Sequence, residues 1–232
     1  KIINLFLLTA AIMILLLVVI VWGKGSEKLS KPSLITDEYR IYGITVDDCW
    51  YDNVETDAVV AAIRDMPVKP TVRIVMSKEI DASDYATLFS QIHEVTYVMA
   101  CPVDSWDMSS YENEQAYLER FQDAYSVLKP YTDLWEIGNE INGVEWIGQD
   151  PEMIVKKVEV ANTYIRSQGA KTALTMYYAR PEDQDLFQWM TENLSENLTE
   201  NVDFALISYY EDDNGGYLPD WSLIFPDFEA VF

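Results

Sequence analysis

The sequence has little histidine, cysteine or positive charge. Its 232 residues include one histidine, His93, and two cysteines, Cys49 and Cys101, which do not form a CxxC pair. These counts leave almost no material for a histidine-rich metal site, a zinc ribbon, a thioredoxin-like site or a Ser-His-Asp triad. Any catalysis would therefore depend on carboxylates, and we expect neither a metal ion nor an organic cofactor.

The charge balance restricts the partners of the chain. It has 39 acidic and 16 basic residues, which gives a net charge of −23. Nucleic-acid binding is disfavoured, because contacts to phosphates need clustered Lys and Arg. An acidic field repels anions, so neutral or cationic substrates fit better. Solubility is nevertheless the simplest explanation of the overall charge.

One long apolar run lies near the start of the chain. Residues 2–22 are apolar over about the 20 residues that the core of a bilayer requires. This length favours a transmembrane anchor at 1–23, inserted in a lipid bilayer, over a secretory signal, whose apolar region is shorter. Residues 24–38 would form a linker. We expect a single-pass protein of the cell membrane with residues 39–232 extracytoplasmic, although the lysines after the run favour the opposite orientation.

Beyond the linker, strand-like and helix-like segments alternate. The strand-like segments are 39–46, 71–77, 95–101, 134–140, 171–178 and 202–210, and the helical ones are 55–65, 82–94, 112–129, 151–168 and 181–199, with a further helix starting near Trp221. This alternation predicts a parallel sheet. A doubly wound sheet is the competing architecture, but no strand is followed by GxGxxG or a Walker loop. We therefore expect a (β/α)₈ TIM barrel, incomplete with six βα units and preceded by one transmembrane helix.

In such a barrel the active site lies in the loops at the carboxyl ends of the strands. Those loops carry tryptophan and acidic side chains, namely Trp50, Trp106, Trp146, Trp221, Asp47 and Asp48. Indole rings stack on the apolar faces of sugars, while carboxylates bind hydroxyl groups, so a cleft with both suits a neutral carbohydrate. The alternative is that these tryptophans anchor loops on the rim of the barrel.

The fourth strand contains two glutamates in an apolar run. Period-two alternation predicts that Glu136, Gly138 and Glu140 lie on one side of the strand. If that side is the barrel interior, Glu140 emerges at the rim and Glu136 is buried below it. Because layers are filled from alternate strands, Arg73 of the second strand could share a layer with Glu136. An Arg73–Glu136 ion pair is thus the preferred interpretation of Glu136.

The string Gly138-Asn139-Glu140 after Trp135, together with Ser208-Tyr209-Tyr210 at the end of strand six, resembles the clan A glycoside hydrolases over residues 39–232. These are retaining TIM-barrel glycosidases, and the likeness is to cellulase-like and galactanase-like members. The resemblance implies that Glu140 is the general acid/base and that Asn139 binds the 2-hydroxyl of the sugar. It also implies that Tyr209 or Tyr210 orients the nucleophilic carboxylate.

The sequence departs from this family in one respect. The family's nucleophile ends strand seven, whereas the sequence stops at Phe232, and neither Glu211 nor Glu229 matches that position. We therefore expect a chain cut before strand seven and inactive on its own, from a membrane-tethered retaining glycosidase that acts on a neutral β-linked glycan. The alternative is a catalytically inactive, membrane-anchored glycan-binding barrel. A disulfide between Cys49 and Cys101 would be compatible with an extracellular location.

Overall fold

The computed structural model describes residues 41–46 and 55–232. The predicted anchor at 1–23, the linker at 24–38 and the candidate residues Asp47, Asp48 and Trp50 lie outside these ranges. Within the described ranges, every helix is too short or too polar to cross a bilayer. The anchor, its orientation and the linker therefore stay predictions.

Six strands form one parallel sheet. They are β1 Gly43–Val46, β2 Thr71–Val75, β3 Tyr97–Cys101, β4 Leu134–Gly138, β5 Lys171–Tyr177 and β6 Phe204–Ser208. Each strand pairs with the next one in the sequence, so the spatial order is β1-β2-β3-β4-β5-β6. A doubly wound sheet would reverse its order at a switch point. The sequential order confirms the prediction of a partial (β/α)₈ architecture, a curled half-barrel with β1 and β6 at the edges of the described sheet.

Helices connect the strands on the outside of this half-barrel. They are α1 Thr56–Arg64, α2 Ala86–His93, α3 Glu114–Leu128, α4 Val144–Ile147, α5 Pro151–Ser167, α6 Leu186–Asn193, α7 Glu196–Asn201 and α8 Trp221–Glu229. The side chain of Asp150 caps α5 by accepting a hydrogen bond from Met153 N at 3.0 Å. Short 3₁₀ turns at Ala82–Tyr85, Ser105–Ser110 and Lys129–Tyr131 complete the connections.

The prediction of one helix over 181–199 was wrong. The structure has α6 and α7 there, separated by Leu194 and Ser195 in extended conformation. The Ser195 hydroxyl accepts a hydrogen bond from Leu198 N at 3.2 Å and so starts a new helix. Serine competes with helix hydrogen bonding in this way, and it is therefore favoured at helix starts.

The apolar core lies between the sheet and the helices. Trp135 of β4 is 1% exposed, and its ring packs 5.3 Å from that of Tyr125 on α3. From the same helix, the buried Tyr117 donates its hydroxyl to Ile137 O at 2.9 Å, which fixes α3 against β4. This packing holds β4 rigidly between its neighbours, so the loop after β4 starts from a fixed point.

Inside the half-barrel, Arg73 and Glu136 form the predicted ion pair. Arg73 Nε donates to Glu136 Oε2 at 2.7 Å, and Glu136 is 1% exposed. The Thr175 hydroxyl donates to the other carboxylate oxygen, so both oxygens of this buried carboxylate are satisfied. Arg73 Nη2 also donates to the buried Cys101 Sγ at 3.4 Å. Cys49 lies outside the described ranges, so a disulfide with it is untested.

The alternation predicted for β4 fails at Gly138. The pairing of β4 with β5 shifts register between Glu136 and Gly138, as at a β-bulge. A Cβ added to Gly138 would lie 2.7 Å from Ile141 Cγ2 and 2.8 Å from Val158 Cγ2, so this position faces α5 and not the barrel interior. The side chain of any other residue would clash there, and the bulge re-aims the residues that follow.

Candidate functional site

A cleft of about 490 Å³ opens where the strands end. Its lining includes the ends of β4 and β5 and the loops that follow β3, β4 and β6. The side chains that matter for its chemistry are Arg73, Asp104, Asn139, Glu140, Tyr177 and Asp213, together with Trp106, Trp146 and Tyr210. Carboxylates, an amide and aromatic rings therefore meet in one concave surface.

Glu140 is the most unusual residue of the cleft. Its φ of 48° lies in the left-handed region, which costs a residue with a side chain roughly 1–2 kcal/mol. It is 9% exposed, and its Oε1 makes no hydrogen bond within the described part of the chain. Burial raises the pKa of Glu140, while the hydroxyls of Ser208 and Tyr210 oppose the rise. Backbone strain and a buried carboxylate oxygen without a partner are typical of functional positions.

Asn142 holds the loop that presents Glu140. It is fully buried, and its side-chain amide continues β5 like a backbone unit. Oδ1 accepts from Tyr177 N at 2.8 Å, and Nδ2 donates to Tyr177 O at 2.7 Å. Gln184 Nε2 donates to Asn142 O at 2.9 Å, and Gly143 N donates to Glu140 O at 2.9 Å. These bonds fix the backbone on the carboxyl side of Glu140 and thereby maintain its strained conformation.

Asn139 and the loop after β3 support one another. Asn139 Oδ1 accepts a hydrogen bond from Ser105 N at 3.3 Å, which leaves the Nδ2 amide without a protein acceptor in the described ranges. Trp146 Nε1 donates to Ser105 Oγ at 3.2 Å, so one serine orients both the amide and an indole. Asp104 accepts from Trp106 N at 3.0 Å, and burial raises the pKa of this carboxyl.

Four aromatic rings form a continuous wall along the cleft. Trp106 and Trp146 are 6.4 Å apart, Trp146 meets Tyr177 edge-on at 5.3 Å, and Tyr177 stacks with Tyr210 at 6.2 Å. Trp106 is 70% exposed. Asn214 fixes the far end, since its Nδ2 donates to Tyr177 Oη at 3.0 Å and to Tyr210 O at 2.8 Å. Burial and the nearby Glu140 carboxylate raise the pKa of Tyr210 to about 12.

The structure brings most of the predicted site residues together. Those that line the cleft are Asn139, Glu140, Trp106, Trp146 and Tyr210. Tyr209 points elsewhere: its ring packs against Tyr178 and Trp221, and its buried hydroxyl has no hydrogen-bond partner in the described ranges. Trp221, the first residue of α8, belongs to the same aromatic cluster and also packs against Phe225.

Sequence reasoning missed five residues of the cleft: Arg73, Asp104, Ser105, Tyr177 and Asp213. Tyr177 is the last residue of β5, and Asp104 lies two residues before Trp106, which was already a candidate. The predicted strand ran to residue 178, so taking the last two residues of every predicted strand as candidates would have included Tyr177. Arg73 was assigned only to the buried layer, although its long side chain also reaches the cleft floor.

Replacing Glu140 with Gln is expected to stabilise the fold at neutral pH by roughly 1 kcal/mol, because a neutral amide costs less to bury than an ionised carboxylate with an unpaired oxygen. Because the pKa of Glu140 is raised in the folded state, its ionised form destabilises the protein at high pH. The advantage of Gln should therefore grow as the pH rises from acid through the folded pKa of Glu140. Urea unfolding from pH 4 to 8 measures it. The exposed Glu94→Gln is the control, and a destabilised Glu140→Gln at pH 7 would contradict the prediction.

Comparisons with known proteins support the fold. No protein-family model and no curated protein matches the chain. Among solved structures it is similar to a family 1 β-glucosidase from Thermotoga maritima, with a TM-score of 0.52, 12% identity and 75% of this chain covered. The β-glucosidase from Thermotoga maritima in complex with noeuromycin gives a TM-score of 0.50 at 12% identity, again over 75% of this chain. The chain spans 65% and 66% of those two structures. The likeness supports a partial TIM-barrel fold for this chain.

Proposed function

We propose that this chain provides the acid/base half of a retaining β-glycosidase of the clan A type, acting on a neutral residue of a β-linked glycan. The observation that carries the proposal is Glu140, a nine-tenths buried carboxylate at the end of β4 in an aromatic-walled cleft. A general acid must keep its proton near neutral pH, and burial raises the pKa of Glu140 in that direction.

The roles of the neighbouring residues follow from their contacts. Glu140 protonates the departing glycosidic oxygen and then removes a proton from the attacking water. The Nδ2 amide of Asn139 is available to a sugar hydroxyl, because its Oδ1 is already bound to Ser105 N. The rings of Trp146 and Trp106 stack on sugar faces, and Tyr210 lies beside Glu140, where it can orient a second carboxylate.

A retaining mechanism needs a nucleophilic carboxylate about 5–5.5 Å from the acid/base. Asp104 and Asp213 also line the cleft. The resemblance to clan A assigns the nucleophile to the end of a seventh strand, so neither aspartate takes that role. We further propose that the protein is tethered to the cell membrane through residues 2–22, with the barrel outside the cytoplasm, on the basis of that apolar run.

A glycan-binding barrel without catalytic activity is the second candidate. The exposure of Trp106 favours it, because an indole that is 70% exposed at a cleft suits the binding of an extended sugar chain whether or not chemistry follows. Turnover by the protein at its natural length separates the two candidates.

Replacing Trp106 with Ala is expected to weaken binding of a neutral β-linked oligosaccharide such as cellotetraose about fivefold, because one ring-stacking contact is lost. Because Trp106 is exposed, the substitution should leave the stability of the fold nearly unchanged. Titration calorimetry on the full chain measures the change. Phe225→Ala removes an aromatic ring that is 49% exposed on α8, outside the cleft, and serves as the matched control. Unchanged affinity of Trp106→Ala, or no binding by the wild type, would count against a sugar site here.

A further inference from the structure

Lys157 of α5 is a buried cation. It is 0% exposed, and within the described ranges it is the one positively charged residue that is fully buried. Burial lowers the pKa of Lys157 to about 8, although the Glu114 carboxylate at the start of α3 opposes the shift. The side chain is therefore an ammonium group at pH 6.5, and its charge is costly to keep in the interior.

All three protons of this ammonium are bonded to carbonyl oxygens. Lys157 Nζ donates to Met108 O at 3.0 Å, to Gln149 Oε1 at 2.6 Å and to Tyr111 O. A lysine ammonium has three donors and no acceptor, so its hydrogen-bonding capacity is used completely. None of these partners is a carboxylate, so the ammonium links neutral parts of the chain to α5.

The linked segments carry the two tryptophans of the cleft. Met108 belongs to the 3₁₀ turn that includes Trp106, and Tyr111 directly follows that turn. Gln149 comes two residues after the end of α4, the helix that includes Trp146. The same ammonium therefore fixes the end of one tryptophan-bearing segment to the end of the other.

The position of the Trp106 ring depends on the backbone that carries it. The ring is 70% exposed, and it lies 6.4 Å from the ring of Trp146. An exposed ring gains little from core packing, so its place follows the turn to which it belongs. Just before that turn, Arg120 of α3 donates to Pro102 O at 3.2 Å. The other end of the turn is held by Lys157.

We infer that Lys157 is a positioning residue of the sugar site, whose ammonium joins the segments of Trp106 and Trp146 and thereby sets the spacing of the two rings. This inference rests on the proposed function, in which those rings stack on sugar faces. A methionine would fill similar space without a buried charge, so the geometry that the ammonium imposes on the two segments explains its presence. Lys157 lies outside the lining of the cleft, and its effect on binding passes through Trp106.

The first test needs no ligand. Lys157→Met should abolish the NMR cross-peaks between the indole protons of Trp106 and Trp146 in the full chain, because the two segments lose their common anchor. The cross-peaks between Trp135 and Tyr125 in the core, whose rings are 5.3 Å apart, should persist and show that the variant is folded.

The second test is a double-mutant cycle, measured by titration calorimetry with cellotetraose at pH 6.5. Lys157→Met is expected to weaken binding about threefold in the wild-type chain, but less than about 1.5-fold in a chain that already carries Trp106→Ala. The two effects should not multiply, because Lys157 acts on the sugar through the ring that Trp106→Ala removes. A role in the stability of the fold alone would give the same factor in both chains.

Two further variants complete the design. Lys156→Met removes the adjacent lysine, which is exposed on α5 and paired with Glu152 at 2.6 Å, and it should change neither the cross-peaks nor the affinity. Gln149→Ala keeps the ammonium and removes one of its acceptors. It should weaken the same cross-peaks and show the same dependence on Trp106, and it replaces Lys157→Met if that variant does not fold.

The outcomes separate this inference from the proposed function. Cross-peaks between Trp106 and Trp146 that persist in Lys157→Met would overturn the inference. An equal loss of affinity in both chains would also overturn it, because Lys157 would then act on the fold as a whole. Absence of cellotetraose binding by the wild type would overturn the proposed function, and the cross-peaks would still decide whether Lys157 positions the two rings.

Discussion

Glu140→Gln is expected to lower kcat/KM for a natural β-linked glycan by about 10³-fold, within the range that general acid catalysis contributes. Glutamine keeps the shape of the side chain but cannot donate a proton to the departing oxygen or accept one from water. The amide is neutral throughout the pH range, so burying it should not destabilise the fold. The assay uses the protein as the cell produces it.

The pH profile distinguishes loss of the acid from general damage. Because burial raises the pKa of Glu140, wild-type activity should decline on the alkaline side as this carboxyl ionises. That alkaline limb should disappear in Glu140→Gln. Glu211→Gln, at an exposed residue just past β6 and outside the cleft, should retain both the rate and the profile. An unchanged rate for Glu140→Gln on an unactivated glycan would remove Glu140 from the acid/base role.

The location of Glu140 was predictable because two simple rules act together. An apolar run from Leu134 to Ile137, interrupted only by Glu136, marks a strand covered on both faces, and the carboxyl ends of parallel strands gather at one edge of the sheet. The Arg73–Glu136 pair followed from the same geometry, since an ionised carboxylate in a barrel interior needs a cation within its layer. Both inferences depend on backbone periodicity, which the sequence expresses directly.

Other features depend on contacts between distant residues, and the sequence carries no local signal for them. The bulge before Gly138 arises where β4 meets β5 and α5, so period-two alternation could not anticipate it. Asn142 reads as an ordinary loop residue, yet its amide replaces a backbone unit beside Tyr177. Likewise, Tyr209 and Tyr210 are adjacent and identical, and only the packing of Tyr209 against Trp221 decides which one enters the cleft.

Arg73→Met is expected to lower the free energy of unfolding by about 3–5 kcal/mol, because it leaves the Glu136 carboxylate buried without its cation. The ion pair is 2.7 Å long and Glu136 is 1% exposed, so the buried carboxylate depends on the guanidinium for its charge partner. Lys78→Met removes one partner of the exposed pair with Asp107 and should cost far less than Arg73→Met, because water solvates the carboxylate that remains. Chemical denaturation of both variants measures the difference, and a fully stable Arg73→Met would refute a structural role for the pair.

The double variant Arg73→Met with Glu136→Met tests why a charged pair occupies this layer. Replacing both partners with apolar residues is often neutral for stability, so the double variant should recover most of the loss. The function should not recover, because Arg73 also lines the cleft and its charge opposes the rise in the pKa of Glu140. NMR titration of the Glu140 carboxyl should therefore give a higher pKa in the double variant than in the wild type. An unchanged pKa of Glu140 would mean that Arg73 contributes to stability and not to the electrostatics of the cleft.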